Sequence, residues 1–114
     1  MAYQHIDPSQ LLATVGGDAA GYRDLARIYL ATTPPLHVQL QQALAGGDCV
    51  LAARLCHTLK TSVMLVGATE LGEMLRALER FAQQGEQAVL PLACKEVARL
   101  FALVEEEVRH SASD

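Results

Sequence analysis

Reactive side chains concentrate in one stretch, Leu55 to Ala68, with His57 near its start. At about 100° per residue, Leu51, Leu55, Leu59, Ser62, Val63 and Val66 fall within an arc about 120° wide, the apolar side of a helix. His57 points close to 180° from the middle of that arc. Positions three, four and seven apart share a helix face, so Lys60, Thr61 and Met64 stand beside it. A histidine placed there faces water or a partner, not the core. Imidazole titrates near pH 6.5 in water, so an exposed ring is largely neutral at cytoplasmic pH and offers a nitrogen lone pair. Lys60, one turn on, and Arg54, three residues before, supply cations to stabilise an anionic group there. Thr61 adds a hydroxyl donor.

The surroundings read as a docking face. Val50, Ala53 and Met64 lie within about 40° of His57 on the same wheel, where a purely solvated face would carry charges. An exposed apolar patch around a reactive group marks a protein interaction site. Taken alone, an exposed histidine on a helix is more often plain surface. It is the joined pattern that speaks against that.

The pattern His57-x-Leu59-Lys60, followed by Gly67-Ala68, Leu71 and Leu78-Glu79, resembles the histidine-containing phosphotransfer (HPt) domain family. The resemblance runs from Ile6-Asp7 to about Val108. It implies a phosphoryl group carried on one exposed histidine of a four-helix bundle and shuttled between receiver-domain aspartates. His57 is then the phosphoacceptor, and Lys60 stabilises the phosphoryl charge. Val50, Ala53, Arg54, Met64 and Gly67 make the expected partner-binding set. Acceptance by nitrogen needs an open lone pair, in-line approach and charge stabilisation, and little else from the acceptor. The chain therefore needs no cofactor of its own. The Mg²⁺ and acidic cluster that activate the transfer belong on the partner receiver domain. One departure stands out: Thr61 occupies the position where the family usually has glycine. Its bulk, within one turn of the nucleophile, is expected to narrow partner choice or slow transfer.

The elements that position these residues follow from the rest of the chain. One hundred and fourteen residues make a single domain, residues 1–114, with one modest core. Hydrophobic residues are 51% of the total, yet no apolar run approaches the roughly 20 residues that span a bilayer, and no signal segment opens the chain. A net charge of −4 leaves no basic footprint for nucleic acid, and few aromatics leave no base-stacking platform. Three cysteines without C-x-x-C spacing argue against a disulfide framework or zinc knuckle and fit a reducing cytoplasm. Cys49 and Cys56 point roughly 80–100° from His57, which excludes a shared metal site. The expected metal content is none.

Asp7-Pro8 starts a short helix carrying Leu11, Leu12 and Val15 and ending at Gly16-Gly17, after an arm expected to be mobile or loosely docked. Asp18 caps the next helix, with Tyr22, Leu25, Ile28 and Tyr29 at helical spacing. Thr32-Thr33-Pro34-Pro35 predicts a kink or short break there, because each proline removes a donor. The helix then continues through Leu36, Leu40, Ala43 and Leu44 to Gly46-Gly47. Asp48 caps the central helix, Cys49 to about Val66, closed by Gly67. A helix from Thr69 to Gln84 buries Leu71, Leu75, Leu78 and Phe81 or Ala82, and stops at Gly85. The last spans about Gln87 to His110, with Pro91 in its first turn. Its inner stripe is Val97, Leu100, Phe101, Val104 and Val108, and Glu105, Glu106 and Glu107 face solvent. His5, His37 and His110 read as ordinary surface residues.

No strand-like alternation occurs, so the expected fold is all-α: an antiparallel up-down four-helix bundle with a short extra N-terminal helix. The expected function is that of a phosphorelay intermediate serving receiver domains of response regulators or a hybrid sensor histidine kinase. It is a phosphocarrier and not a kinase, since neither G-x-x-x-x-G-K-[ST] nor a glycine-rich kinase loop is present. The alternative is a binding adaptor that titrates a receiver without accepting phosphate. A purely structural bundle leaves the outward His57 patch unexplained. The default oligomeric state is a monomer.

Overall fold

A computed structural model describes residues 3–113 as five helices and, among those residues, no strand. They are α1 (Pro8–Thr14), α2 (Ala19–Ala45), α3 (Cys49–Leu65), α4 (Thr69–Gln84) and α5 (Leu90–Ser113). Aspartates start the first three, as their sequence signals predict. Asp7, Asp18 and Asp48 accept from the amides of Ser9, Ala20 and Leu51, each satisfying a donor that the first turn leaves free. At the other ends, Gly67 follows α3 with φ 72° and Gly85 closes α4 with φ 67°, left-handed turns that suit glycine.

The long helices close into a ring of contacts: α2 against α3, α3 against α4, α4 against α5, and α5 back against α2, with α1 resting on α2. Cross-helix pairs run in opposite order along their helices. Tyr22 meets Ser111 and His37 meets Phe101 between α2 and α5, while His57 meets Glu79 and Met64 meets Gly72 between α3 and α4. The interior is mostly aliphatic. Leu59 and Val63 from α3, Leu75 and Leu78 from α4, and Val97, Leu100 and Val104 from α5 are all 0–1% exposed. Each such side chain contributes roughly 1.5–3 kcal/mol by leaving water.

Several expectations are corrected. Helix α2 runs through Pro34 and Pro35 without the short break. Its buried positions Ala26, Tyr29, Thr33, Leu40 and Ala43 keep helical spacing across the prolines, so packing on both sides holds the helix where local propensity would end it. Helix α5 begins at Leu90, not Gln87, and runs to Ser113. Ile28 and Leu51, expected on apolar stripes, are 55% and 42% exposed at the stripe edges.

The N-terminal arm is tied down, at least from Tyr3 onward; Met1 and Ala2 lie outside the described residues. Ile6 is buried, and the Asp7 amide donates to the Val66 carbonyl at 3.0 Å. Glu107, expected in solvent, accepts from the Gln4 amide, the His5 amide and the His5 ring. His5 is therefore half-buried and no ordinary surface residue. His37 is not one either. Its ring stacks on Phe101 with centroids 4.3 Å apart, and burial pushes its pKa down against a smaller upward pull from Glu105. His110 is exposed, edge-on to Tyr3.

Partial burial pushes the Glu107 carboxyl up, but the hydrogen bonds and charge of His5, with the Gln4 amide, outweigh it and hold it below its ordinary 4.5. A carboxyl with a lowered folded-state pKa stabilises the fold above its unfolded value, and the gain is lost as pH falls through the folded one. Glu107→Gln should thus lower the melting temperature at pH 7, with the difference from wild type shrinking below about pH 4. Amide exchange at Gln4 and His5 should quicken in the same variant. Equal melting at pH 7 with unchanged exchange would show that the clamp does nothing for stability.

Candidate functional site

The buried stripe of α3 determines what its far side shows. With Leu55, Cys56, Leu59 and Val63 held inside, His57 turns outward and its side chain is 67% exposed. The ring is not free of the bundle. Its Nδ1 lies 3.8 Å from Glu79 Oε2 on α4, too long for a hydrogen bond but close for a charge contact. Glu79 is itself only 17% exposed, held against the bundle by its place beside buried Leu78. A carboxylate beside Nδ1 favours the proton on that nitrogen, which leaves the ring's lone pair on Nε2.

Helix α3 contains no acidic residue, and its charged side chains are Arg54 and Lys60. Neither makes an ion pair or side-chain hydrogen bond among the described residues. Thr61 is exposed, but its hydroxyl is committed: Oγ1 donates to the His57 carbonyl at 3.4 Å. Thr58 and Ser62 bond back to Arg54 and Thr58 in the same way, at 3.2 and 3.4 Å. What Thr61 presents outward is therefore bulk more than a donor.

Two shallow depressions flank His57 in the groove between α3 and α4. One holds Val50, Arg54, Thr58, Glu79 and Gln83; the other holds Lys60, Thr61, Met64, Gly72 and Arg76. Val50 and Met64, expected at the partner surface, are 67% and 39% exposed. Ala53 lines the first depression but is 9% exposed, a floor position more than a contact. Gly67 is a correction. It is buried beneath Asp7, where an added Cβ would lie 2.6 Å from Asp7 Cβ, so it serves the crossing of the N-terminal arm and not a partner.

The α4 half of the site escaped the reading of α3 alone. Gly72, Arg76, Glu79 and Gln83 lie three or four apart and share one face. Their spacing beside the inner stripe of Leu71, Leu75, Leu78 and Ala82 was visible, but not which helix that face would border. Cys56 plays no part. Burial, with help from Glu79 and Cys94, pushes the Cys56 thiol up to about 12, so it stays protonated and inert.

If Glu79 sets the tautomer, Glu79→Ala should move the His57 proton population from Nδ1 toward Nε2. Long-range ¹H–¹⁵N spectra of the imidazole read this directly, and identical spectra in both proteins would remove Glu79 from the account.

The comparisons bear on the fold and the family. A family model described as the Hpt domain matches residues 24–110. No curated protein matches the chain. Among solved structures, the crystal structure of histidine-containing phosphotransfer protein B (HptB) from Pseudomonas aeruginosa PAO1 is similar, with a TM-score of 0.88. That match covers 98% of this chain and 97% of that one at 22% identity, a likeness of fold. With the family model spanning most of its length, the chain belongs to the histidine-containing phosphotransfer (Hpt) domain family.

Proposed function

We propose that the protein is a phosphorelay intermediate: His57 accepts a phosphoryl group from a receiver-domain aspartate and passes it to another receiver. The ring of four long helices is read as an antiparallel up-down bundle whose task is to hold that histidine open. The observation that carries this is His57 itself, exposed on an acid-free helix, with Nδ1 turned to Glu79 and an unpaired Lys60 one turn on.

The step balances without a further reactant. The Nε2 lone pair attacks the phosphorus of the aspartyl phosphate, the P–N bond forms as the P–O bond breaks, and the carboxylate leaves. Positive charge develops on the ring as its lone pair is shared. Glu79 sits where it offsets that charge, and a preorganised charge of this kind acts where charge develops in the transition state. Lys60 is placed to neutralise the phosphoryl oxygens. The Mg²⁺ expected in this chemistry belongs to the receiver, and the chain, a carrier without an ATP site of its own, supplies nucleophile, orientation and charge. Transfer to a second receiver is the same step reversed.

His57→Ala should abolish acid-labile, alkali-stable phosphorylation while shifting stability by under about 0.5 kcal/mol, as exposed substitutions do. Label retained in that variant would rule out His57 as acceptor, and a wild type that binds receivers but never takes label would make the protein an adaptor. Lys60→Ala should slow transfer more than it weakens binding, since charge-assisted contacts reach roughly 1.5–3 kcal/mol only when shielded by the docked partner. Thr61→Gly should keep or raise the transfer rate and widen the range of accepted receivers, with a stability cost of order 1 kcal/mol. Loss of transfer at unchanged receiver binding would instead give the threonine hydroxyl a part in the chemistry.

A further inference from the structure

Four arginines of this chain have an acid one turn before them, and three of the four pair with it. Arg27 pairs with Asp24 at 3.5 Å, Arg99 with Glu96 at 2.5 Å and Arg109 with Glu105 at 3.7 Å, each taking a carboxylate one turn before it. Arg76 has Glu73 in the same relation, yet it makes no ion pair or hydrogen bond among the described residues. Lys60 is also unpaired, and the two line the same depression on the Thr61 side of His57.

The floor of that depression is shaped for contact. Met64 and Leu65 are 39% and 50% exposed there. Gly72 sits inside α4, where glycine destabilises a helix relative to alanine. Space explains it: a Cβ on Gly72 would come 2.6 Å from Met64 Sδ and 3.3 Å from its Cγ. The glycine lets Met64 lie flat in the groove. The charged lining of this depression is Lys60 and Arg76 against the one acid Glu73, whereas the depression on the other side of His57 sets the single cation Arg54 against Glu79.

We infer that the depression formed by Lys60, Met64, Leu65, Gly72 and Arg76 is the anchor seat for the docking receiver. The occupant is an apolar side chain resting on Met64 and Leu65, with a neighbouring carboxylate that pairs with Arg76. The inference rests on the relay reading, and the charge argument follows from it: a receiver's phosphoacceptor is an aspartate, so its docking surface brings carboxylates toward His57. Arg76 is then a specificity-determining residue, acting on the partner and not on the reacting atoms. Charges at the rim of an interface act mainly through encounter and salt dependence.

The test compares two donors on the full chain. Phosphoramidate needs no docking: the imidazole nitrogen takes its phosphoryl group and ammonia leaves. A receiver domain loaded with acetyl phosphate must dock first, and the fastest donor from a panel of receivers serves as the probe. Arg76→Glu should raise the KM for the receiver by about tenfold and flatten its salt dependence, with kcat and phosphoramidate labelling changed far less. Arg76→Lys should recover most of the loss. Arg80→Glu makes the same charge change one turn along α4, at an exposed residue outside the depression, and should keep the wild-type KM. Gly72→Ala should raise KM through a displaced Met64 while the protein stays folded. The inference is overturned if Arg76→Glu behaves like Arg80→Glu. It is equally overturned if Arg76→Glu slows phosphoramidate labelling as much as receiver transfer, because Arg76 then holds the phosphoryl group and not the partner. A wild type labelled by neither donor fails the relay reading, and the anchor seat falls with it.

Discussion

Burial of Leu55, Leu59 and Val63 fixes the rotation of α3 about its own axis, and most of the site depends on that rotation. The helix cannot turn by one position without pulling leucine into water and pushing His57 toward the core. The aliphatic contacts are non-directional one by one, but packed at interior density they admit one arrangement. His57 is thus held open by side chains on the opposite face of its own helix. The same rotation places Cys56 at 0% exposure with its thiol held protonated, so the residue next to His57 is its opposite in accessibility.

A second constraint acts at the end of α3. Gly67 turns left-handed directly after the helix, and Asp7 crosses it so closely that no side chain fits. The Asp7 amide bonds to the Val66 carbonyl, an acceptor left open at the helix end, and Glu107 of α5 holds Gln4 and His5 just upstream. The N-terminal arm therefore joins α3 and α5, which lie across the ring from each other. The helix bearing His57 is anchored at its C-terminal end by a strap and along its length by the core, which leaves the exposed face free of structural duty.

That face is uneven in charge. Helix α3 brings only cations, and every carboxylate near His57 comes from α4. Glu79 is confined between the ring and the bundle, where water screens it less than it would an exposed acid. Arg76 stands one turn before it on the same face. The two sides of the histidine thus present different electrostatic surroundings, although both are built from the same pair of helices. In the proposed relay step, where His57 gains positive charge and the phosphoryl group arrives negative, the order of these charges along the groove matters more than their sum.

How far the sequence alone reached can be judged residue by residue. The 3.6-residue period of apolar positions, the aspartate caps and the glycine stops gave five helices with most boundaries close, because these signals act within one or two turns. The exposure of His57 followed from the same arithmetic. Local rules failed where distant residues decided. Pro34 and Pro35 predict a break by their own chemistry, but core contacts on both sides carry α2 through. Glu107, His5 and His37 read as surface because nothing in their neighbours announces a partner some hundred or sixty residues away. Gly67 was visible as a helix stop, while the crossing N-terminal arm that leaves no room for a side chain there was not. The α4 half of the site needed the tertiary structure for the same reason. Sequence spacing defines which residues share a face, but only packing decides which two faces meet, and the contact of Glu79 with His57 is a property of that meeting.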